Sequence, residues 1–282
     1  SLSGSAISDS KAMTPSRPGL KSSDTTRSFS GYYGGNSAPI QAMLATTKVE
    51  IALRAKVTLD TSMEQNGIRA KISAMRRSYG EVGLEKLPAD PFVAFEEWMT
   101  EAAANEIIVE ANAMVLSTAD GSGEITTRTV LLKDISDGGF TFFTNYSSRK
   151  AQAIAMNSQV TLLFPWYAME RQVIISGQAD KISREESESY FATRPWSSQI
   201  GAWASAQSAP LASREELEMR FKGAGEKWPE GSVVPTPPHW GGFRVIPESI
   251  EFWQGRYSRL HDRIRYFRAD TKSDWEMQRY FP

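Results

Sequence analysis

The sequence predicts a mainly β fold, with antiparallel strands closed into a barrel and helices at its periphery. Three observations carry this. From Ala113 onward, short apolar-rich runs are separated by turn signals such as Asp120-Gly121-Ser122-Gly123 and Asp137-Gly138-Gly139, the punctuation of antiparallel hairpins. Strands and helices do not alternate regularly, which argues against a doubly wound parallel sheet. A set of about six strands also needs its edges covered, and closure into a barrel does that.

Asp90 followed by Pro91 opens a helix over 91–104, because Asp accepts from free first-turn N–H groups and Pro lacks one to satisfy. Phe92, Phe95, Trp98 and Met99 recur there at helical spacing. Strands are expected at 113–118, 126–133 and 140–145, then a short helix at 148–156, then strands at 160–166 and 171–182. Ser183-Arg184-Glu185-Glu186 is a capping box that opens a helix through Phe191, and a further helix spans 214–221. The run 199–208, polar but low in charge, reads as a loop. Late strands are expected at 239–246, 249–253 and 263–268.

Composition narrows the chemistry. The 282 residues are 40% hydrophobic and 23% charged, with a net charge of -1, so a polyanion such as nucleic acid meets no bulk attraction. Local basic clusters in a neutral chain suit small anions. There is no cysteine, and His239 and His261 are the two histidines, so no thiolate chemistry and no metal site is expected. No apolar run is long enough for a membrane helix and no secretory leader is apparent, so the expected location is cytoplasmic. Residues 1–70 differ from 71–282. The first stretch is rich in Ser, Thr, Gly and Ala, and all eight tryptophans lie at or beyond Trp98. A flexible or accessory extension is expected at 1–70, with organelle targeting as one use for it, and the functional domain at 71–282.

Four stretches carry candidate chemistry. Residues 251–263 hold Arg256, Arg259, Arg263 and His261 around Trp253, more donors than a core readily pairs. An anionic aromatic ligand would supply acceptors and a ring to stack on Trp253, though core packing accounts for that tryptophan equally well. Arg259, His261 and Arg263 alternate, so an extended segment would point them one way. Thr144 to Lys150 joins a strand end to a helix start with Arg149 and Lys150 adjacent, which makes either a phosphate cradle or an ordinary capped helix. Arg128 on the neighbouring strand favours the cradle, whereas Lys133 falls on the opposite side under strict alternation unless a bulge intervenes. Tyr190 and Arg194 share a helical face and Ser198 follows in the next turn, a second anion site or a surface pair.

Several separated segments, in this order, resemble the pyridoxine/pyridoxamine 5'-phosphate oxidase family. They are MRRSYGEVGL at 75–84, NAMVLST at 112–118, RTVLLK at 128–133, FFTNYSSRK at 142–150, RQV at 171–173, YFATRPWSSQIGAW at 190–203, AQS at 206–208, HWGGF at 239–243 and EFWQGRYSRLHDR at 251–263. The resemblance implies an FMN-binding split β-barrel, homodimeric, with active sites at the interface. It places the FMN phosphate near Arg128, Arg149, Lys150 and Thr144, and the flavin ring along Val130 and Leu131. Thr129, Phe143, Gln172, Gln207, Ser208, Trp253 and Arg263 complete the cofactor shell, some from the second subunit. Lys133, Tyr190, Arg194 and Ser198 are implied to hold a substrate phosphate, and Arg259, Leu260 and His261 the reacting end, with Arg259 and His261 as the catalytic pair. Arg76 and Tyr79 match a segment that closes over the site. The implied reaction is oxidation of pyridoxamine or pyridoxine 5'-phosphate by oxygen, without metal, membrane or nucleic acid. A related oxidase of a phenazine precursor and a non-catalytic FMN or pyridoxal-phosphate binder are the competing implications. Two features depart from the pattern: residues 1–70 have no counterpart, and the end reads Arg279-Tyr280-Phe281-Pro282 where members finish Arg-Leu-Ala/Ser-Pro.

Overall fold

The computed structural model describes residues 68–75 and 78–282. The chain divides into two units between Met75 and Arg76. Of the first unit, residues 68–74 are helical. The expected extension, apart from its last residues, and Arg76 lie outside the described residues. The second unit carries the sheet and five α-helices.

Nine strands form one antiparallel sheet: β1 (Ala113–Ala119), β2 (Ile125–Leu131), β3 (Asp134–Ser136), β4 (Gly139–Asn145), β5 (Gln159–Trp166), β6 (Arg171–Lys181), β7 (Trp240–Gln254), β8 (Asp262–Phe267) and β9 (Glu276–Tyr280). Their order is β2-β1-β5-β6-β7-β4-β3, with β8 on β7 and β9 on β8. The sheet curls into a half-barrel, so that β2 and β4 line one cavity although they stand far apart in the order. The helices are α1 (Pro91–Ala104), α2 (Arg149–Met156), α3 (Arg184–Ala192), α4 (Trp196–Ala204) and α5 (Arg214–Lys227).

Helix α1 starts as the sequence expects, with the Asp90 side chain accepting from the Phe92 N–H and Pro91 in the first turn. Its buried stripe is Ala94, Phe95, Trp98 and Ala102. Phe95 meets Phe140 and Phe164 edge-on at 5.0 Å each, and Trp98 meets Phe252 at 5.1 Å. This aromatic layer ties α1 to β4, β5 and β7 and fixes the concave side of the sheet. A smaller cluster of Phe191, Ile200, Val234 and Trp240 seats α3 and α4 beside the cavity.

Two expectations need correction, and one strand was not foreseen. The late strands thought to be separate are one, β7, running through Pro247. Pro247 is tolerated because it falls where β4 pairing has ended at Val245 and β8 pairing has not begun before Ser249. Opposite it, Gly177 takes up a register shift, and a Cβ there would lie 2.1 Å from the Ile246 carbonyl oxygen. The run 199–204 is helical, not a loop. Gln199 is buried and caps the end of α3 through the Phe191 and Ala192 carbonyls, at 3.0 and 3.3 Å. Strand β9 was not expected from the sequence, because Glu276 to Arg279 are all exposed and show no alternation.

Candidate active site

A cavity of about 950 Å³ opens between β2, β4 and the α3–α4 junction. It brings together Arg128, Thr129, Val130, Leu131, Lys133, Phe143, Thr144, Arg149, Lys150, Tyr190, Arg194, Ser198, Gln207 and Ser208 from the sequence-predicted set. Lys133 joins Arg128 because the β1–β2 ladder ends at Leu131. The Leu132 N–H then bonds to Asn112 and the Lys133 N–H to Thr141, so strand alternation no longer governs Lys133.

One group of cations gathers where β4 meets α2. Lys150 is buried, and its ammonium donates to Thr144 Oγ1 (3.1 Å), Gln207 Oε1 (3.0 Å) and Ser148 Oγ (3.4 Å), all neutral. Burial, then the charge of Arg128, pull its pKa down to about 8. Arg128 donates to the Leu116 carbonyl (3.0 Å), Thr118 Oγ1 (2.9 Å) and Thr126 Oγ1, again without a carboxylate. Burial and Arg149 lower its pKa too. Arg149 pairs with Glu124 at the exposed rim, a contact that an anion can replace at little cost. Ser148, the residue before α2, makes no side-chain cap, so the helix start faces this cluster without an internal anion.

A second group lies at the α3–α4 junction. The Arg194 guanidinium sits 4.8 Å from the Trp240 ring centre and 5.5 Å from that of Phe191. Its Nη1 is shut off from solvent and has no hydrogen-bond partner among the described residues. Burial lowers the Arg194 pKa, and burial raises that of the neighbouring Tyr190 hydroxyl. Tyr190 stacks on Phe143 at 3.9 Å, and Phe143 stacks on Trp240 at 5.3 Å. The aromatic stack thus joins the supports of Tyr190 and Arg194. Sequence reasoning missed Trp240 as a wall of this cavity; its place in HWGGF was the available signal. Among the described residues, Arg128, Lys150 and Arg194 have no carboxylate partner. One of these cations, Lys150, is buried and the other two are half-buried, so leaving them without counter-ions is costly, and a bound anion offsets that cost.

The remaining predicted residues stand apart from this cavity within one chain. Gln172 pairs with Trp253, and Trp253 with Arg263, so these three form a row across β6, β7 and β8. Arg259, Leu260 and His261 run from the Tyr257–Arg259 turn into the loop before β8. They do not make the expected single line with Arg263, since Ser258 and Arg259 take left-handed backbone angles (φ 55° and 62°). The idea that these arginines lack acceptors in the chain is also corrected. Buried Glu251 accepts from Arg263 (2.8 and 3.1 Å) and Arg265 (2.9 and 3.1 Å), and this raises the Arg263 pKa. Tyr79 packs edge-on against Trp253 (5.9 Å) and His261 (5.3 Å).

Residues 100–227 match the family profile described as pyridoxamine 5'-phosphate oxidase, and residues 240–282 that of the pyridoxine 5'-phosphate oxidase C-terminal dimerisation region. A pyridoxine/pyridoxamine 5'-phosphate oxidase of Streptomyces avermitilis is 49% identical over 215 residues, covering 74% of this chain and 96% of that protein. The chain belongs to the pyridoxine/pyridoxamine 5'-phosphate oxidase family. Another oxidase of the family, from Salinispora arenicola, is 44% identical over 223 residues, covering 78% of this chain and all of that protein. Among solved structures, PhzG of Burkholderia lata, in complex with tetrahydrophenazine-1-carboxylic acid, superposes with a TM-score of 0.67 at 28% identity, over 73% of this chain and all of that one. A pyridoxamine 5'-phosphate oxidase-related, FMN-binding protein of Nostoc punctiforme has a TM-score of 0.56 at 15% identity, over 70% of this chain and all of that one, and shares the split-barrel fold of the family. The half-barrel of this chain is that fold.

Proposed function

We propose that the protein is an FMN-dependent oxidase that converts pyridoxamine 5'-phosphate or pyridoxine 5'-phosphate to pyridoxal 5'-phosphate, with oxygen as the final acceptor. The observation that carries this reading is a single cavity with two groups of cations, of which Arg128, Lys150 and Arg194 have no carboxylate partner among the described residues. Arg149 acts on Arg128 and Arg128 on Lys150, whereas none of these cations acts on Arg194, whose pKa is lowered by burial. Two groups suit two phosphates, one on the cofactor and one on the substrate.

The residues present fit FMN. Arg128, Arg149, Lys150, Thr144 and the start of α2 would hold its phosphate, and Val130 and Leu131 would border the ring. FMN, when bound, supplies the acceptor for a hydride from the substrate C4' carbon and passes the electrons to oxygen, giving hydrogen peroxide. The chain's task is placement. Arg194, Tyr190, Ser198 and Lys133 grip the substrate phosphate, a remote handle that fixes the ring. Phe143 and Trp240 exclude water from the Arg194 side and keep that contact strong. Arg259, Leu260 and His261 orient the reacting end. The second subunit of a homodimer brings its 251–263 region to this cavity, since one chain leaves the two apart.

The test is anaerobic addition of pyridoxamine 5'-phosphate to flavin-loaded protein. Bleaching of the flavin band, with recovery and pyridoxal 5'-phosphate formation in air, is expected. Bleaching by tetrahydrophenazine-1-carboxylic acid alone would favour the chemistry suggested by the PhzG likeness and overturn this assignment.

Assembly across the interface gives a separate prediction. Alone, Lys150→Met subunits at limiting FMN and His261→Leu subunits each lose roughly tenfold or more of wild-type activity. Mixed after reversible dissociation, they regain roughly a quarter of wild-type activity, because half the dimers are hybrids with one intact site of two. No recovery in verified hybrids means that both residues serve a site within one chain.

A further inference from the structure

His261 is held in one orientation by its own loop. Its Nδ1 accepts a hydrogen bond from the Arg256 N–H at 3.0 Å. A backbone amide only donates, so Nδ1 carries the lone pair and the neutral ring carries its proton on Nε2. Turning the ring over would set a carbon against that N–H and leave a partly buried donor unpaired. Protonating Nδ1 would set two donors face to face.

The surroundings reinforce this arrangement. Trp253 packs against the imidazole at 4.7 Å, and Tyr79 meets it edge-on at 5.3 Å and 88°. Tyr79 is itself anchored. The Gly80 N–H donates to the Glu170 carboxylate (2.8 Å), the Tyr257 N–H to the Gly80 carbonyl (3.1 Å), and the Leu84 N–H to Asp262 (3.0 Å). A Cβ on Gly255 would lie 2.7 Å from Tyr79 Cδ1, a measure of how closely the loop is pressed onto that ring. Of the nearby charges, Arg259 opposes a second proton on the ring, and Asp262 is engaged by Arg256 and Arg279. Burial acts in the same direction and holds the His261 pKa below its ordinary value.

We propose that His261 meets the reacting end of the substrate as a fixed Nε2–H hydrogen-bond donor, and not as a general base. A base would need its free lone pair at Nε2, where this loop places the proton. The alcohol substrate therefore gives its hydroxyl proton to water as the hydride leaves, while the free amine needs no base, because loss of hydride leaves an iminium that water hydrolyses. The tautomer follows from the chain alone, and the acceptor rests on the proposed oxidase function.

The experiment uses the FMN-loaded dimer with ¹⁵N-labelled imidazoles. With His239 and His261 as the two histidines, a His239→Asn sample assigns both sets of signals. At pH 7 the expected result for His261 is a protonated-type Nε2 and a pyridine-type Nδ1. In turnover, His261→Gln, whose amide N–H reaches near the Nε2 position, keeps kcat within roughly threefold, while His261→Leu loses roughly tenfold or more. An Nδ1–H or doubly protonated ring overturns the proposal. So does a glutamine variant as impaired as the leucine one with FMN retained. If wild type shows the Nε2–H ring but does not oxidise pyridoxamine or pyridoxine 5'-phosphate, the substrate reading fails and the tautomer assignment stands.

Discussion

Replacing Arg194 with methionine raises KM for a phosphorylated substrate by roughly 10–150-fold, the loss of about 1.5–3 kcal/mol expected for a charge-assisted hydrogen bond. Methionine is chosen because the Arg194 stem packs against Trp240 and Phe191, and a thioether keeps that volume while removing the charge. The free protein should not suffer much. A buried Nη1 without a partner costs stability in the empty site, so removing it leaves Tm unchanged or slightly raised. FMN retention should also hold, because the flavin group of cations is separate. Steady-state kinetics with pyridoxamine 5'-phosphate, set against flavin titration of the same preparation, checks both. Loss of FMN at unchanged KM would show that Arg194 serves the cofactor instead.

The parts of this site that were legible in sequence are those fixed by local chemistry. Asp90-Pro91 and the Ser183/Glu186 box start helices by satisfying their own first N–H groups, and both do so in the structure. The β4-to-α2 junction was visible because a strand of apolar residues gives way to Ser147-Ser148-Arg149-Lys150 within one turn. What escaped depends on distant partners. Pro247 breaks a strand pattern on paper, yet β7 continues because neither β4 nor β8 needs an N–H at that position. Gln199 looks like a loop amide until the open carbonyls of α3 stand beside it. Glu251 shows how charge counting misleads. The arginines of 251–263 seemed to call for an external anion, but a buried carboxylate already serves Arg263 and Arg265. Among the described residues of the cavity, Arg128, Lys150 and Arg194 lack a carboxylate partner, and no sequence rule separates them from the paired arginines. Recognition by motif supplied the residue roles, while the cavity shows which of them one chain can bring together.

Replacing Lys150 with methionine weakens FMN binding by roughly 10–150-fold and removes a pH dependence that wild type shows. The argument starts from a buried ammonium whose pKa is about 8, below its ordinary value of 10.5, because burial and Arg128 disfavour its charge. A bound phosphate favours the charge and raises that pKa. Binding FMN therefore takes up protons as pH approaches 8 and above, and wild-type affinity falls as pH rises through that value. Calorimetric titrations in buffers of different ionisation enthalpy should show this uptake in wild type and lose it in the variant. The sign for stability without cofactor is opposite to that for binding. Between about pH 8 and 10.5 the unfolded chain holds the Lys150 proton and the folded chain has shed it, so unfolding free energy rises with pH in that window. Below pH 8 both states are protonated and the penalty for burying the charge is fully present. The methionine variant should consequently match or exceed wild type in cofactor-free Tm at pH 7, and the gap should narrow toward pH 10. Equal proton uptake by the two proteins would remove Lys150 from the phosphate site and leave Arg128 and Arg149 to hold it.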